Sequence, residues 1–149
     1  MEGVLSLATS TPSSRANWRS YRSDQLGFEF TYPPACEVNQ QDDGLSVGAR
    51  IDLVVVYDNG VALGDYVDQL VEDKTRSGDW RLESKQAVVA GENNAIRVEY
   101  RFGGVGRYGT ALFLQRGGRI YIWGFTAGAS ICDEPDVFGD VVSSFRFAN

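Results

Sequence analysis

The chemistry open to this chain is limited first by a residue type it lacks. Its 149 residues include no histidine, the commonest general base, transition-metal ligand and neutral-pH switch. Ser-His-Asp and Cys-His catalysis are therefore excluded. Two cysteines, Cys36 and Cys132, are too few for a four-thiolate zinc site; they are either one disulfide or two unpaired thiols buried as small apolar groups. Asp42-Asp43 beside Gln40-Gln41 offers oxygen ligands for calcium but lacks the ligand spacing of an EF-hand loop, and reads as a solvated turn. Asp65, Asp68 and Glu72 are the carboxylates a glycosidase-like hydrolase would need. Gly103-Gly104-Val105-Gly106 lacks the Lys-Ser/Thr end of a phosphate loop, and reads as a strand connection or a lip beside a binding surface. Ser143-Ser144 has no base to activate it. Arg97, Glu99 and Arg101 alternate with Ile96, Val98, Tyr100 and Phe102, so the charged side is either a solvent face or the floor of a polar groove that Trp80 and Arg107 join.

The elements that must position these residues follow from periodicity. Phe28, Phe30 and Tyr32 alternate with Glu29 and Thr31 and stop at Pro33-Pro34, the period of a strand. Ile51–Tyr57 (IDLVVVY) is a second strand, apolar on both sides at its centre and so expected in a covered position. Leu63, Tyr66, Val67, Leu70 and Val71 form one helical stripe over Leu63–Arg76, which leaves Asp65, Asp68, Glu72 and Asp73 facing water, with Lys74 and Arg76 at the end where cations suit the dipole. Strands Arg81–Val89 and Ala95–Phe102 flank the turn sequence AGENN, and Tyr108–Arg116 and Arg119–Ala127 flank Gly117-Gly118. A two-glycine loop is a hairpin signal. It sets Leu114 opposite Tyr121, Leu112 opposite Trp123 and Phe113 opposite Ile122, apolar on both faces, so each face must be covered. Asp133 is the expected N-cap of a last helix entered through Pro135, with Val137, Phe138, Val141, Val142 and Phe145 as its apolar stripe; the tail SFRFAN folds back on the body. The sum is an α+β fold, an α/β/α sandwich with a mostly antiparallel sheet of about six strands and two main helices.

Composition sets the outer bounds. A hydrophobic fraction of 43% with 23% charged residues is that of a folded domain. Residues 1–17, with the segment TSTPSS, read as a flexible tether, and residues 18–149 as one globular domain. The 14 Lys and Arg against 20 Asp and Glu give a net charge of −6, and no basic cluster offers a face to nucleic acid. No apolar run approaches the roughly 20 residues of a membrane span. No basic-then-apolar leader stands at the N-terminus, so an export signal, if the natural protein has one, is expected to lie outside this sequence.

Four stretches carry a resemblance: Tyr21–Pro33 (YRSDQLGFEFTYP), Leu63–Val67 (LGDYV), Val89–Tyr100 (VAGENNAIRVEY) and Val142–Phe147 (VSSFRF). Together they resemble the PsbP-like family, the α/β/α sandwich named after an extrinsic photosystem subunit, over Trp18 to the end of the chain. The resemblance implies a non-enzymatic domain acting outside the cytoplasm, periplasmic or at the cell surface, with a lipid anchor in the full-length protein and a protein partner as ligand. It implies no cofactor, since no residues here match a metal motif of the family. It also tips Cys36 and Cys132 toward a disulfide, which suits an oxidising compartment. Two other readings stay open: a hydrolase relying on carboxylates alone, and a small-ligand binder with a pocket against Tyr121, Trp123 and Phe125.

Overall fold

A computed structural model describes residues 17–104 and 106–148; most of the proposed tether, Val105 and Asn149 lie outside the described residues. The chain runs β1 (Arg19–Ser23), β2 (Phe28–Tyr32), β3 (Val38–Gln41), β4 (Gly44–Val47), β5 (Ile51–Tyr57), α1 (Leu63–Ser77), β6 (Trp80–Ala90), β7 (Asn93–Phe102), β8 (Tyr108–Arg116), β9 (Arg119–Phe125), α2 (Pro135–Ser144) and β10 (Arg146–Phe147). The central sheet has seven strands in the order β3-β4-β5-β9-β8-β7-β6, and a second sheet of three strands, β1-β2-β10, lies apart from it. Every pairing is antiparallel. From β5 in the middle of the sheet, the chain crosses by way of α1 to the far edge, enters β6, and returns strand by strand to set β9 beside β5.

The expected six strands become ten because the segments missed are short or polar. Gln40 to Gly44 is the heart of a hairpin rather than a lone turn: Gln40 pairs with Leu45 and Val38 with Val47, and only the β4 side is strongly apolar. Gly44 is fixed there by contact, since a Cβ on it would lie 2.0 Å from the carbonyl oxygen of Leu53. The two-glycine hairpin has the expected register, Leu114 with Tyr121, Leu112 with Trp123 and Phe113 with Ile122. Gly117 and Gly118 both hold positive φ, 62° and 83°, which side chains resist. The tail folds back as expected, with Phe147 pairing Phe28.

The alternation of side chains then divides the core. Leu53, Val55, Leu112, Leu114, Tyr121, Trp123 and Phe125 pack on one face against α2 and the small sheet. Val98, Tyr100, Ala111, Phe113 and Ile120 pack on the other against Val67 and Val71 of α1. The helices thus cover opposite faces, the α/β/α arrangement. Cover is incomplete on the α1 side. α1 packs on β6 and β8, so the far end, with Ser46, Asp52 and Val54, is wetter. Val54 is 40% exposed, and the expectation that β5 is covered on both sides holds for one side only.

The start of α2 also differs from expectation. Asp133 does not cap it. Asp133 closes a short 3-10 turn, Ile131–Asp133, in a reciprocal capping arrangement with Ser130. Pro135 opens α2, and Glu134 before it is extended at φ −90° and ψ 141° without a side-chain cap, because proline disfavours a helical residue ahead of it. Just before Asp133, Cys132 forms a disulfide with Cys36. It ties the loop after β2 to the entry of α2, and both cysteines are buried within the α2-side core.

Candidate functional site

α2 crosses its face of the sheet obliquely. Its first turn stacks Phe138 on Phe125, ring centroids 4.9 Å apart. Its last turn abuts the β6–β7 turn, where a Cβ on Gly91 would lie 2.6 Å from the Ser143 carbonyl oxygen and Asn93 Nδ2 donates to the Phe145 carbonyl at 3.2 Å. The corner of the sheet beyond this diagonal has no cover among the described residues. It forms a groove of about 670 Å³ with a floor that includes Arg97, Glu99, Thr110 and Leu112, and a helical wall that includes Phe138 and Val142.

The charged alternation of β7 is therefore a groove floor. Arg97 and Glu99 lie in it and pair at 2.8 Å, and the Ser84 hydroxyl donates to Glu99 at 3.4 Å. Arg101 sits beyond, its guanidinium 4.0 Å over the ring of Tyr108 and 3.4 Å from Glu83; Tyr108 itself lines the groove. The floor is thus a lattice of mutually satisfied charges beside an apolar wall.

The other two residues expected in the groove are not brought to it. Trp80 lies on the opposite face, stacked on Tyr100 with centroids 3.9 Å apart, and lines a separate depression of about 430 Å³ with Lys74 and Phe102. The cause is parity: Trp80 pairs with Phe102, whose side shares the α1 core. Arg107 is exposed in the connection after β7, where its carbonyl accepts the Phe102 N–H at 2.8 Å.

Tyr100 lies flat across Gly109, where a Cβ would fall 2.5 Å from the ring. Burial first, and the charge of Asp52 second, push its phenol up to about 12. Asp52 has exposed surface, yet its carboxylate lies over Gly124, 2.6 Å from where a Cβ would be. Desolvation raises its pKa, opposed by a hydrogen bond from the Gly124 backbone.

The remaining candidates are placed as follows. Asp42 and Asp43 form the exposed β3–β4 turn, and the Asp43 carbonyl accepts the Val55 N–H at 2.7 Å. Asp65, Asp68 and Glu72 are exposed on α1. Among the described residues no three acidic or sulfur ligands converge for a metal. The glycine connection is pinned to the α1–β6 loop by Gly103 N–H donating to the Asp79 carbonyl at 2.9 Å. The Ser143 hydroxyl donates back to the Gly139 carbonyl at 2.8 Å, and the Ser144 hydroxyl to that of Val141 at 2.7 Å while accepting the Thr31 N–H of β2 at 2.9 Å; both hydroxyls have structural partners. Of the face expected to hold a small-ligand pocket, Tyr121 and Trp123 are closed off, Trp123 fully buried between Phe30 and Phe145 at 5.2 and 5.7 Å, whereas Phe125 lines the groove against α2.

The α2 wall of the groove was not foreseen. Phe138 and Val142 belong to an apolar stripe that reads as core, and nothing in a stripe tells which of its members overhang an uncovered corner.

The fold is that of a PsbP-like α/β/α sandwich, with an open groove between α2 and the sheet. Neither a protein-family model nor a curated protein sequence matches the chain. Solved structures do. The solution structure of the cyanobacterial PsbP, CyanoP, from Synechocystis is similar at TM-score 0.59 and 16% identity, over 93% of this chain and 97% of that one. A crystal structure from Bacteroides thetaiotaomicron is similar at TM-score 0.59 and 13% identity, over 88% of this chain and 48% of that one. LpqN of Mycobacterium tuberculosis, described as involved in cell envelope biogenesis, is similar at TM-score 0.52 and 8% identity, over 89% of this chain and 92% of that one. At such identities the likeness is one of fold.

Proposed function

We propose that this is a non-catalytic accessory domain that works outside the cytoplasm and holds a protein partner in the groove between α2 and the β6–β8 corner, with residues 1–17 as tether and a lipid anchor upstream of it. The groove carries the reading. It joins an apolar wall (Phe138, Val142) to a floor with fixed charges (Arg97, Glu99), the mixture of apolar anchor and polar rim found at protein interfaces. The buried Cys36–Cys132 disulfide suits an oxidising compartment. The fold shared with CyanoP and with LpqN, the latter tied to the cell envelope, agrees with that placement.

The test is in-cell photocrosslinking in the source organism, with the reactive residue at Thr110 on the floor or at Gln69 on the outer side of α1. The expected result is a discrete protein adduct from Thr110, absent from Gln69, that disappears when Val142 is changed to Glu. Equal adducts from both positions, or none from either, would refute the proposal. Recovery of the mature protein in the cytosolic fraction would refute its placement.

A further inference from the structure

The strand β6 borders the groove and forms one edge of the central sheet. It spans 11 residues and, among the described residues, pairs only with β7. The opposite edge, β3, has four residues and a polar sequence, VNQQ. The two halves of β6 differ. Arg81, Glu83 and Lys85 crowd the first half, and the register breaks between Leu82 and Ser84. Charges and bulges of this kind keep an edge from pairing with another chain. The second half, Gln86-Ala87-Val88-Val89-Ala90, has no charge, no proline and no bulge, and Val89 is 68% exposed.

The direction of its free hydrogen-bonding groups follows from the turn. Ala90 pairs with Asn93 across the two residues Gly91 and Glu92, and a two-residue turn closes on a hydrogen-bonded pair. Ala90, Val88 and Gln86 therefore direct their N–H and C=O to β7. Val89, Ala87 and Lys85 direct theirs outward, where nothing described receives them.

We infer that this half-edge pairs with the same half-edge of a second copy, antiparallel about a two-fold axis at Val88, to join two central sheets into one. The charges select this occupant and this direction. The neutral run is bounded at one end by Lys85, which also pairs with Asp68 of α1, and at the other by Glu92, 3.9 Å from Arg146, both pairs being solvent-exposed. Antiparallel pairing about Val88 brings Ala87 opposite Val89 and Lys85 opposite Gly91, beside Glu92 of the second copy. Parallel pairing would set like charges together at both ends. The pairing stops at the bulge, so the interface is short and belongs to the small, weakly associating class. It would also place the two grooves side by side, because Val88 and Ala90 line each groove at this rim.

The experiment is sedimentation equilibrium of the full chain from about 10 µM to about 1 mM, concentrations suited to a weak interface. A monomer–dimer equilibrium is expected, abolished by Ala87→Pro and by Val89→Lys. Ala87→Pro removes an N–H that β7 does not use, and proline is tolerated at such edge positions. Val89→Lys places a charge on an exposed site, so at least one variant keeps the monomer fold, checked by circular dichroism and melting. A monomer at every concentration overturns the inference, as does a dimer that survives both changes. Val88→Cys tests the register: directly opposed non-hydrogen-bonded residues sit about 4.5 Å apart at Cα, within disulfide reach. A cysteine-linked dimer is expected on oxidation, and its absence overturns the axis at Val88.

Discussion

Breaking the disulfide is the perturbation whose size can be worked most directly. Cys36 and Cys132 are 96 residues apart, so the bond closes most of the described domain into one loop. In the chain-entropy account a loop of this length restricts the unfolded chain by about 4.7 kcal/mol at 25 °C, and native bridges of small domains commonly contribute 2–5 kcal/mol. A domain of this size is stable by about 5–15 kcal/mol, so the bond supplies a large share. Cys36 and Cys132 are 4% and 5% exposed, and a reductant should reach them only when the domain opens. The assay is urea unfolding of the native protein against the Cys36→Ala/Cys132→Ala variant, with free thiols counted in unfolded, unreduced protein. The expected outcome is no free thiol in the native protein and a loss of about 2–5 kcal/mol in the variant. Two free thiols, or a loss below about 1 kcal/mol, would refute the reasoning.

Two further predictions concern the α1 side of the sheet. Gly109→Ala should cost about 1–3 kcal/mol by overpacking, because the new methyl meets the Tyr100 ring at 2.5 Å; urea titration checks this, and Tyr100→Leu should recover part of the loss, a coupling a double-mutant cycle measures. Tyr100, with its phenol pushed up to about 12 by burial and by Asp52, should be seen in an ultraviolet titration as a late tyrosinate step that Tyr100→Phe removes. Its folded pKa lies above that of the unfolded chain, so its contribution to stability is intact below about pH 10 and lost as pH rises from there through about 12. If Tyr100→Phe leaves the late step in place, the assignment fails.

Strong local signals carried most of the architecture. Strand β5, helix α1 and the hairpin at Gly117-Gly118 are long or glycine-marked, and their periodicity is that of the folded state. Strands β1, β3, β4 and β10 do not stand out in the sequence, because each is short and draws its strand character from a neighbour. β10 is two residues, Arg146 and Phe147, held against Glu29 and Phe28. Asp133 misled for a related reason: a residue able to cap the helix stood two positions ahead of Pro135, and the capping contact went instead to a separate turn with Ser130. Which of several local partners a short polar side chain takes is settled by tertiary placement.

The site shows where residue patterns stop being sufficient. Alternation along β7 did place Arg97 and Glu99 on one side together, and that side is the groove floor. Trp80 was assigned to the same surface because it neighbours those residues in the sheet, yet strand parity put it on the far face against Tyr100. The groove itself exists because α2 takes a diagonal path, and that path is fixed by contacts remote in sequence: the disulfide at its entry, Phe125 under its first turn and Gly91 under its last. Gly91 makes the point in a single residue. Its sequence context, AGENN, announces a turn, and the turn is there with φ at 63°. The same glycine also lets the end of α2 come down onto the β6–β7 corner, and any side chain at that position would hold the helix off. One residue thus closes the groove at one end while serving a turn that needs glycine for its own reasons, and only the second role is visible from the sequence.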